Sequence, residues 1–258
     1  MTTSSYYVDD FADKLFSGNP AAVIFSQIND SYLMQNIAAE NNLSETAFIN
    51  TQNDNQIRFF TPELEVDLCG HATLASAFVF FNYLDKPQDK ITFSSKRGEL
   101  IADKTEKGIK LILPKDNPEP FAEIDLFSNM LGCKVLEVYR GIDDFIVVVE
   151  GETEVKDMKP DFNEISKLDS RGLIVTAHGV DVDFVSRWFG PQTGVDEDPV
   201  TGSAHTLLTP YWSQKLGKNI MNAKQLSKRG GFLICEVKDK AIEITGQAKL
   251  YLRGSIEL

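Results

Sequence analysis

Apolar and polar positions along this chain follow two periods, and the order in which those periods alternate occurs twice. In the first half, "SYYVDDF" reads as a strand and "FSGNPAAVIF" as a Gly-Asn-Pro turn feeding a second strand. "DSYLMQNIAAENN" places Leu33, Ile37 and Ala38 on one helical face, with Asp30 as the N-cap. "ETAFIN" and "QIRFFT" read as short strands. From Ala72 to Leu84 the segment "GHATLASAFVFFNYL" is apolar nearly all round, and a helix of that kind must be enclosed by other elements.

The second half repeats the order. "VLEVYRG" and "DFIVVVE" read as strands, "DFNEISKL" as a helix, and "GLIVTA" and "DFVSRWF" as strands. "GSAHTLLTPYWSQKLG" is the apolar helix again, with Pro210 expected to kink or break it and the Gly of "KLGK" to stop it. Strands follow each apolar helix: "ITFSS" and "GIKLILP" in the first half, "GFLICEV" and "AIEITGQAKLYLRG" in the second. "PKDNPEPFAE", with three prolines, reads as the linker.

Residue identities repeat as well as patterns. Arg58, Phe60 and Pro62 recur as Arg187, Phe189 and Pro191, an offset of 129 in a chain of 258 residues. Gly70 and Gly202, which close the two stretches, are 132 apart, so the second copy carries three extra residues in its loop. The expected fold is α+β, with two pseudo-symmetric domains. Each is a curved, mostly antiparallel, barrel-like sheet wrapped around a central apolar helix. The expected boundaries are 1–113 and 121–258, with the extreme C-terminus left open to pack back on the first half.

Composition narrows the function. With 42% hydrophobic residues the chain can bury a sizeable core, and a net charge of −12 argues against nucleic acid and anionic membranes as partners. The N-terminus has neither a basic nor an apolar leader region, and no run approaches a membrane span. Cys69, Cys133 and Cys235 are odd in number and far apart, which fits a reducing cytoplasm. The three histidines are scattered, without the spacing of metal ligands, so no metal is expected.

Both repeated stretches end where the apolar helix begins, at Cys69-Gly70-His71-Ala72 and at Thr201-Gly202-Ser203-Ala204. The first N–H groups of a helix lack internal acceptors and carry the positive end of its dipole. Glycine lets a ligand approach that backbone. Two such starts facing one cleft would form an anion site for a carboxylate or an enolate-like charge. Gly70, Ala72, Gly202 and Ser203 are therefore candidate substrate-binding residues.

Titratable candidates lie beside them. His71 could donate to a substrate or shuttle a proton; its ordinary reading is a solvated residue at a helix start. Asp198 of "DEDPVTG" and Ser203 read equally well as turn and helix-start residues. Glu45 of "NLSETAFIN" differs, because "GLIVTA" has Gly172 near the corresponding place and no carboxylate. A single acid on one side of a pseudo-symmetric cleft is what one-base proton transfer needs. Its ordinary reading is a strand-edge glutamate facing water.

"FSGNPAAVIF", "SETAFI", "RFFTPELEVDLCGHATLASA" and "DEDPVTGSAHTLLTPYW", in this order, resemble the phenazine-biosynthesis PhzF-like isomerases, over essentially the whole chain. That resemblance implies the diaminopimelate-epimerase-like fold, an active site between two domains, no metal, no organic cofactor, and a homodimer. It implies that Glu45 moves a proton between carbons of a ring such as dihydro-hydroxyanthranilate, with His71, Asp198 and Ser203 as its partners. Racemases of this fold oppose two cysteines; here Cys69 has no thiol counterpart at Pro199-Val200-Thr201. A Cys69–His71 thiol hydrolase is also not expected, since residues two apart on a helix or strand end do not readily meet. The expected function is thus a cofactor-independent isomerase acting on a small carboxylate. A non-catalytic carboxylate-binding protein and a racemase on the same fold are the alternatives.

Overall fold

The computed structural model describes residues 2–84 and 88–258. The chain divides into two compact units, Met1–Leu113 with Thr245–Leu258, and Pro114–Ile244. The first unit contains β1 (Thr2–Asp10), β2 (Asn19–Phe25), α1 (Ser31–Asn41), β3 (Glu45–Asn50), β4 (Gln56–Phe60), β5 (Glu65–Val66), α2 (Gly70–Tyr83), β6 (Lys90–Ser95), β7 (Gly98–Thr105) and β8 (Gly108–Pro114). Then follow β9 (Glu119–Pro120), α3 (Ile124–Leu131), β10 (Val135–Arg140), β11 (Asp144–Val149), α4 (Glu152–Asp157), α5 (Phe162–Ile165), β12 (Gly172–His178), β13 (Phe184–Gly190), β14 (Val195–Asp198), α6 (Ala204–Leu216), β15 (Ile220–Gln225), β16 (Gly231–Val237), β17 (Ala241–Gly246) and β18 (Ala248–Glu257).

In the first unit the strands run β18-β1-β2-β3-β4-β6-β7-β8, antiparallel except for the parallel pairs β2/β3 and β4/β6. In the second they run β9-β10-β11-β12-β13-β15-β16, antiparallel except for β11/β12 and β13/β15. The two parallel exceptions fall at corresponding places, so the duplication is one of topology. Against the sequence-based division of 1–113 and 121–258, the second unit begins at Pro114, and residues 245–258, the segment left open to pack back, belong to the first unit. The reason is β18, which runs antiparallel to β1 from Thr2↔Glu257 to Asp10↔Ala248.

Each unit is built on its apolar helix. Along α2 the buried residues run from Gly70 to Ala77 and on through Val79, Phe80 and Phe81, so its whole circumference is covered. Each large apolar side chain removed from water stabilises by roughly 1.5–3 kcal/mol. The polar residues in this helix cost little, because Thr73 and Ser76 donate back to the carbonyls of Cys69 and Ala72, both at 2.6 Å. In the second unit Trp212 of α6 stacks on Phe184 with ring centroids 5.7 Å apart, and its Nε1 donates to Thr176 Oγ1 at 2.9 Å.

Pro210 does not break α6, which is continuous from Ala204 to Leu216. The proline cannot donate to the Thr206 carbonyl; that oxygen instead accepts from the Asp116 N–H at 3.3 Å. Asp30 caps α1 by accepting from the N–H groups of Tyr32 and Leu33. Its buried face is Met34, Ile37 and Ala38, with Leu33 only partly covered. Among the described residues, no helix is long and apolar enough to cross a membrane.

The repeated arginine has a structural explanation. Arg58 pairs with Glu65 through two 2.8 Å bonds and lies over the Phe60 ring at 5.2 Å. Arg187 pairs with Glu197 at 2.6 and 2.9 Å and lies over Phe189 at 4.8 Å. Glu65 and Glu197 are 132 residues apart, so the three extra residues fall between Pro191 and Glu197, where a short 3₁₀ turn spans Pro191–Thr193. In both copies the arginine clamps β5 or β14 to the preceding strand, just before the chain enters its central helix.

Candidate active site

In the first unit the start of α2 gathers groups from four elements. Cys69, in extended conformation at φ −142° and ψ 110°, precedes the helix, and His71 sits in its first turn. Glu45 opens β3, and Asp10 and Asn19 face each other across β1 and β2. His71 Nε2 lies 2.9 Å from Glu45 Oε2 as an ion-pair contact, and Asn19 Nδ2 is 3.1 Å from His71 Nδ1. Asn19 thus lies against one ring nitrogen and Glu45 against the other; an amide nitrogen at Nδ1 suits a ring unprotonated there. Turning the amide over would offer oxygen to Nδ1 and support the imidazolium.

The turn that brings Asn19 here depends on Gly18. Its φ is +70°, and a Cβ at that position would lie 2.0 Å from the Asp10 carbonyl oxygen. The Gly-Asn-Pro sequence is therefore a turn that also delivers a buried polar side chain to the histidine.

Electrostatics distinguish the members of the cluster. Desolvation opposes protonation of His71, yet the negative groups around it, Cys69 as thiolate, Glu45 and Asp10, raise its pKa well above the usual histidine value. Burial first, and then the Glu45 charge, push the Cys69 thiol up to about 11. Cys69 is accordingly a neutral thiol at pH 7. The Glu45 side chain is 18% exposed against 4% for His71, so it is the member a substrate reaches more readily.

Cys69 and His71 do meet, contrary to the expectation for residues two apart: Cys69 Sγ is 3.4 Å from His71 Nδ1. The extended backbone at Cys69 turns its side chain back over the ring, which a helical residue could not do. A thiol with a raised pKa is nonetheless a poor nucleophile. Glu45, Cys69 and His71 also place three possible metal-ligand atoms within 4.8 Å of one another. Histidine spacing in the sequence concealed this grouping, because Glu45 comes from a different element.

In the second unit the start of α6 is organised around Thr201, which corresponds to Cys69. Thr201 Oγ1 donates to Asp198 Oδ2 at 2.5 Å, and its N–H donates to Gln225 Oε1 at 2.8 Å. Gln225 Nε2 donates to the Asp198 carbonyl at 2.7 Å. Gly202 is buried and Ser203 half-buried, and Ser203 Oγ accepts from Arg171 Nη1 at 2.8 Å. Gly172 opens β12 in the register position that Glu45 holds in β3: Gly172 pairs with Asp144 as Glu45 pairs with Ala21. A Cβ there would lie 2.4 Å from the Trp188 indole, so no carboxylate fits without rebuilding the neighbourhood.

The structure thus brings Glu45, Gly70, His71 and Ala72 together in one unit, and Asp198, Gly202 and Ser203 together in the other. Sequence reasoning missed Asp10, Asn19, Arg171 and Gln225. Paired acids at the end of an apolar strand, in "YYVDDF", were the available signal for Asp10.

A profile of phenazine biosynthesis-like proteins, PhzC-PhzF, matches residues 8–254. The chain belongs to the PhzC-PhzF family. An uncharacterized isomerase of Pseudomonas aeruginosa is 46% identical over 261 residues, covering 100% of both chains. The crystal structure of a PhzF-family phenazine biosynthesis protein of Enterococcus faecalis is 46% identical, covers 100% of each chain and superposes with a TM-score of 0.96. A solved structure described as a predicted epimerase from Pseudomonas aeruginosa shares the fold at 18% identity, with a TM-score of 0.77 over 98% of this chain and 99% of its own. PhzC-PhzF membership and the epimerase-like fold agree with the duplicated architecture described above.

Proposed function

We propose that this protein is a cofactor-independent isomerase that moves a proton between two carbons of a small, cyclic or unsaturated carboxylate. The observation that carries the reading is the contact of 2.9 Å between His71 Nε2 and Oε2 of Glu45, the side chain of the two that is more exposed, beside a ring whose pKa is raised by the negative groups around it. In the forward step the Glu45 carboxylate takes a proton from an sp³ carbon next to the conjugated system. The C–H electron pair moves along the adjacent double bond, and the resulting carboxylic acid returns its proton to the distal carbon. Nothing is oxidised or reduced. A single positioned acid/base of this kind contributes roughly 10²–10⁴-fold.

Negative charge that develops on the substrate is assigned to the helix start at Gly70 and Ala72, and Asp198, Gly202 and Ser203 are proposed as substrate-binding residues of the second unit. The family's isomerase-named relatives support the reaction class. The proposed assembly is a homodimer in the cytoplasm, which sedimentation and fractionation would test.

The experiment is incubation with dihydro-hydroxyanthranilate and a panel of cyclic and amino carboxylates in D₂O, followed by NMR, for the wild type and Glu45→Gln. Deuterium entering a carbon position with the wild type alone supports the reading. Tight binding without any exchange would replace it with a carboxylate-binding role.

A further inference from the structure

We propose that Arg171 is a positioning residue: it orients Ser203 as a hydrogen-bond donor and makes the start of α6 selective for a ligand carrying a carboxylate. This rests on the functional reading above and names the part of the site that recognises the anionic group.

Arg171 directly precedes Gly172, the residue that stands in the register place of Glu45. The second copy has therefore exchanged an acid for a cation one residue away. Its guanidinium lies over the Trp188 ring at 5.4 Å, the same indole that excludes a side chain from Gly172. Nε donates to Asp144 Oδ1 at 3.1 Å, Nη2 donates to Asp144 Oδ2, and Nη1 donates to Ser203 Oγ at 2.8 Å. A guanidinium has five N–H groups, so three are used and two have no acceptor among the described residues.

Two consequences follow for Ser203. Its oxygen already accepts an N–H, so its own O–H points elsewhere and is available to donate to a ligand oxygen. The charge balance also matters. Asp144 is nearly buried, and Asp143 and Asp198 act on the same guanidinium. Without Arg171 the start of α6 would present acids alone and would repel a carboxylate. With it, the bidentate Asp144 pair fixes the fork, and the remaining N–H groups, the Ser203 hydroxyl and the helix dipole all favour an anion.

The test compares dihydro-hydroxyanthranilate with its carboxamide, by calorimetry and by deuterium exchange, in the wild type, Arg171→Gln, Ser203→Ala and the double variant. Arg171→Gln is expected to weaken carboxylate binding by about 10–100-fold, the value of one or two charge-assisted bonds, and to leave carboxamide binding within about twofold. KM for exchange should rise more than kcat falls. Ser203→Ala should cost less in the Arg171→Gln background than alone. If Arg171→Gln unfolds because Asp144 is left uncompensated, Arg171→Gln/Asp144→Asn removes both charges and carries the same expectation. Equal losses for carboxylate and carboxamide, or no loss for either, would overturn the proposal. Because calorimetry reads binding without turnover, a missing Glu45-dependent exchange would sink the isomerase reading while leaving the Arg171 result interpretable.

Discussion

His71 Nε2 and Glu45 Oε2 lie 2.9 Å apart although they are 26 residues apart in sequence and belong to different elements. The first prediction concerns this pair. Glu45→Gln keeps the size and the polar contact but cannot carry a proton. It should lower carbon-bound deuterium exchange by about 10²–10⁴-fold while the far-UV circular dichroism spectrum is unchanged. Retention of more than a tenth of the wild-type rate would remove Glu45 from the mechanism.

Two buried histidines should act on stability with opposite pH dependence. His71 has a raised pKa in the folded state, so its contribution is complete below the ordinary value near ~6.5 and is lost as pH rises through the folded value. His205 is fully buried, donates from Nδ1 to the Thr201 carbonyl at 2.9 Å, and has its pKa pushed down to about 4 by burial. Between pH about 6.5 and about 4 the unfolded chain binds the proton that the folded chain resists, so stability falls across that window by up to about 3 kcal/mol. Urea unfolding measured from pH 4 to 9 should show the acid loss shrink in His205→Gln and the alkaline loss shrink in His71→Gln. Parallel curves for wild type and variants would contradict both assignments.

The duplicated arginine clamp predicts matched costs. Arg58 and Arg187 are each largely covered and each hold a glutamate with two bonds. Glu65→Gln and Glu197→Gln should each destabilise by about 1.5–3 kcal/mol, the range for hydrogen bonds to charged groups. Chemical denaturation reads this directly. Arg187→Met should cost more than Arg58→Met, because Arg187 Nη1 also donates to the Val155 and Met158 carbonyls at 3.2 and 2.9 Å and so closes the end of α4.

Cys69 offers the test against a thiol mechanism. A buried thiol whose pKa is pushed up to about 11 should react slowly with iodoacetamide at pH 7.5 in the folded protein. Cys69→Ser should retain exchange within about tenfold of wild type, well above the loss that removal of a general base produces. Rapid alkylation with parallel loss of exchange would instead point to a thiol base.

Much of the molecule was legible from local pattern. The apolar circumference of α2 required enclosure, Asp30 capped α1 as its side-chain chemistry demands, and the Arg-Phe-Pro repeat at a half-chain offset announced two copies of one topology. β15 was not read from the sequence, because one of its inward positions is Gln225, a polar residue that spoils the alternation yet is buried to hold Thr201 and Asp198. β7 was likewise obscured, since charged residues flank its few inward positions.

What the sequence determined alone, then, was the periodicity of each element and the identity of the residues at the two helix starts, because both depend only on neighbours along the chain. What tertiary structure decided was which distant groups face them. Asp10 and Asn19 reach His71 through strand pairing, and Arg171 reaches Ser203 from the edge of β12. Burial pushes the Cys69 thiol up and keeps it neutral, whereas at His71 burial is outweighed by the negative groups around the ring, which raise its pKa. Desolvation and long-range charge have no counterpart in sequence spacing, which is why the residues could be named in advance while their partners and protonation states could not.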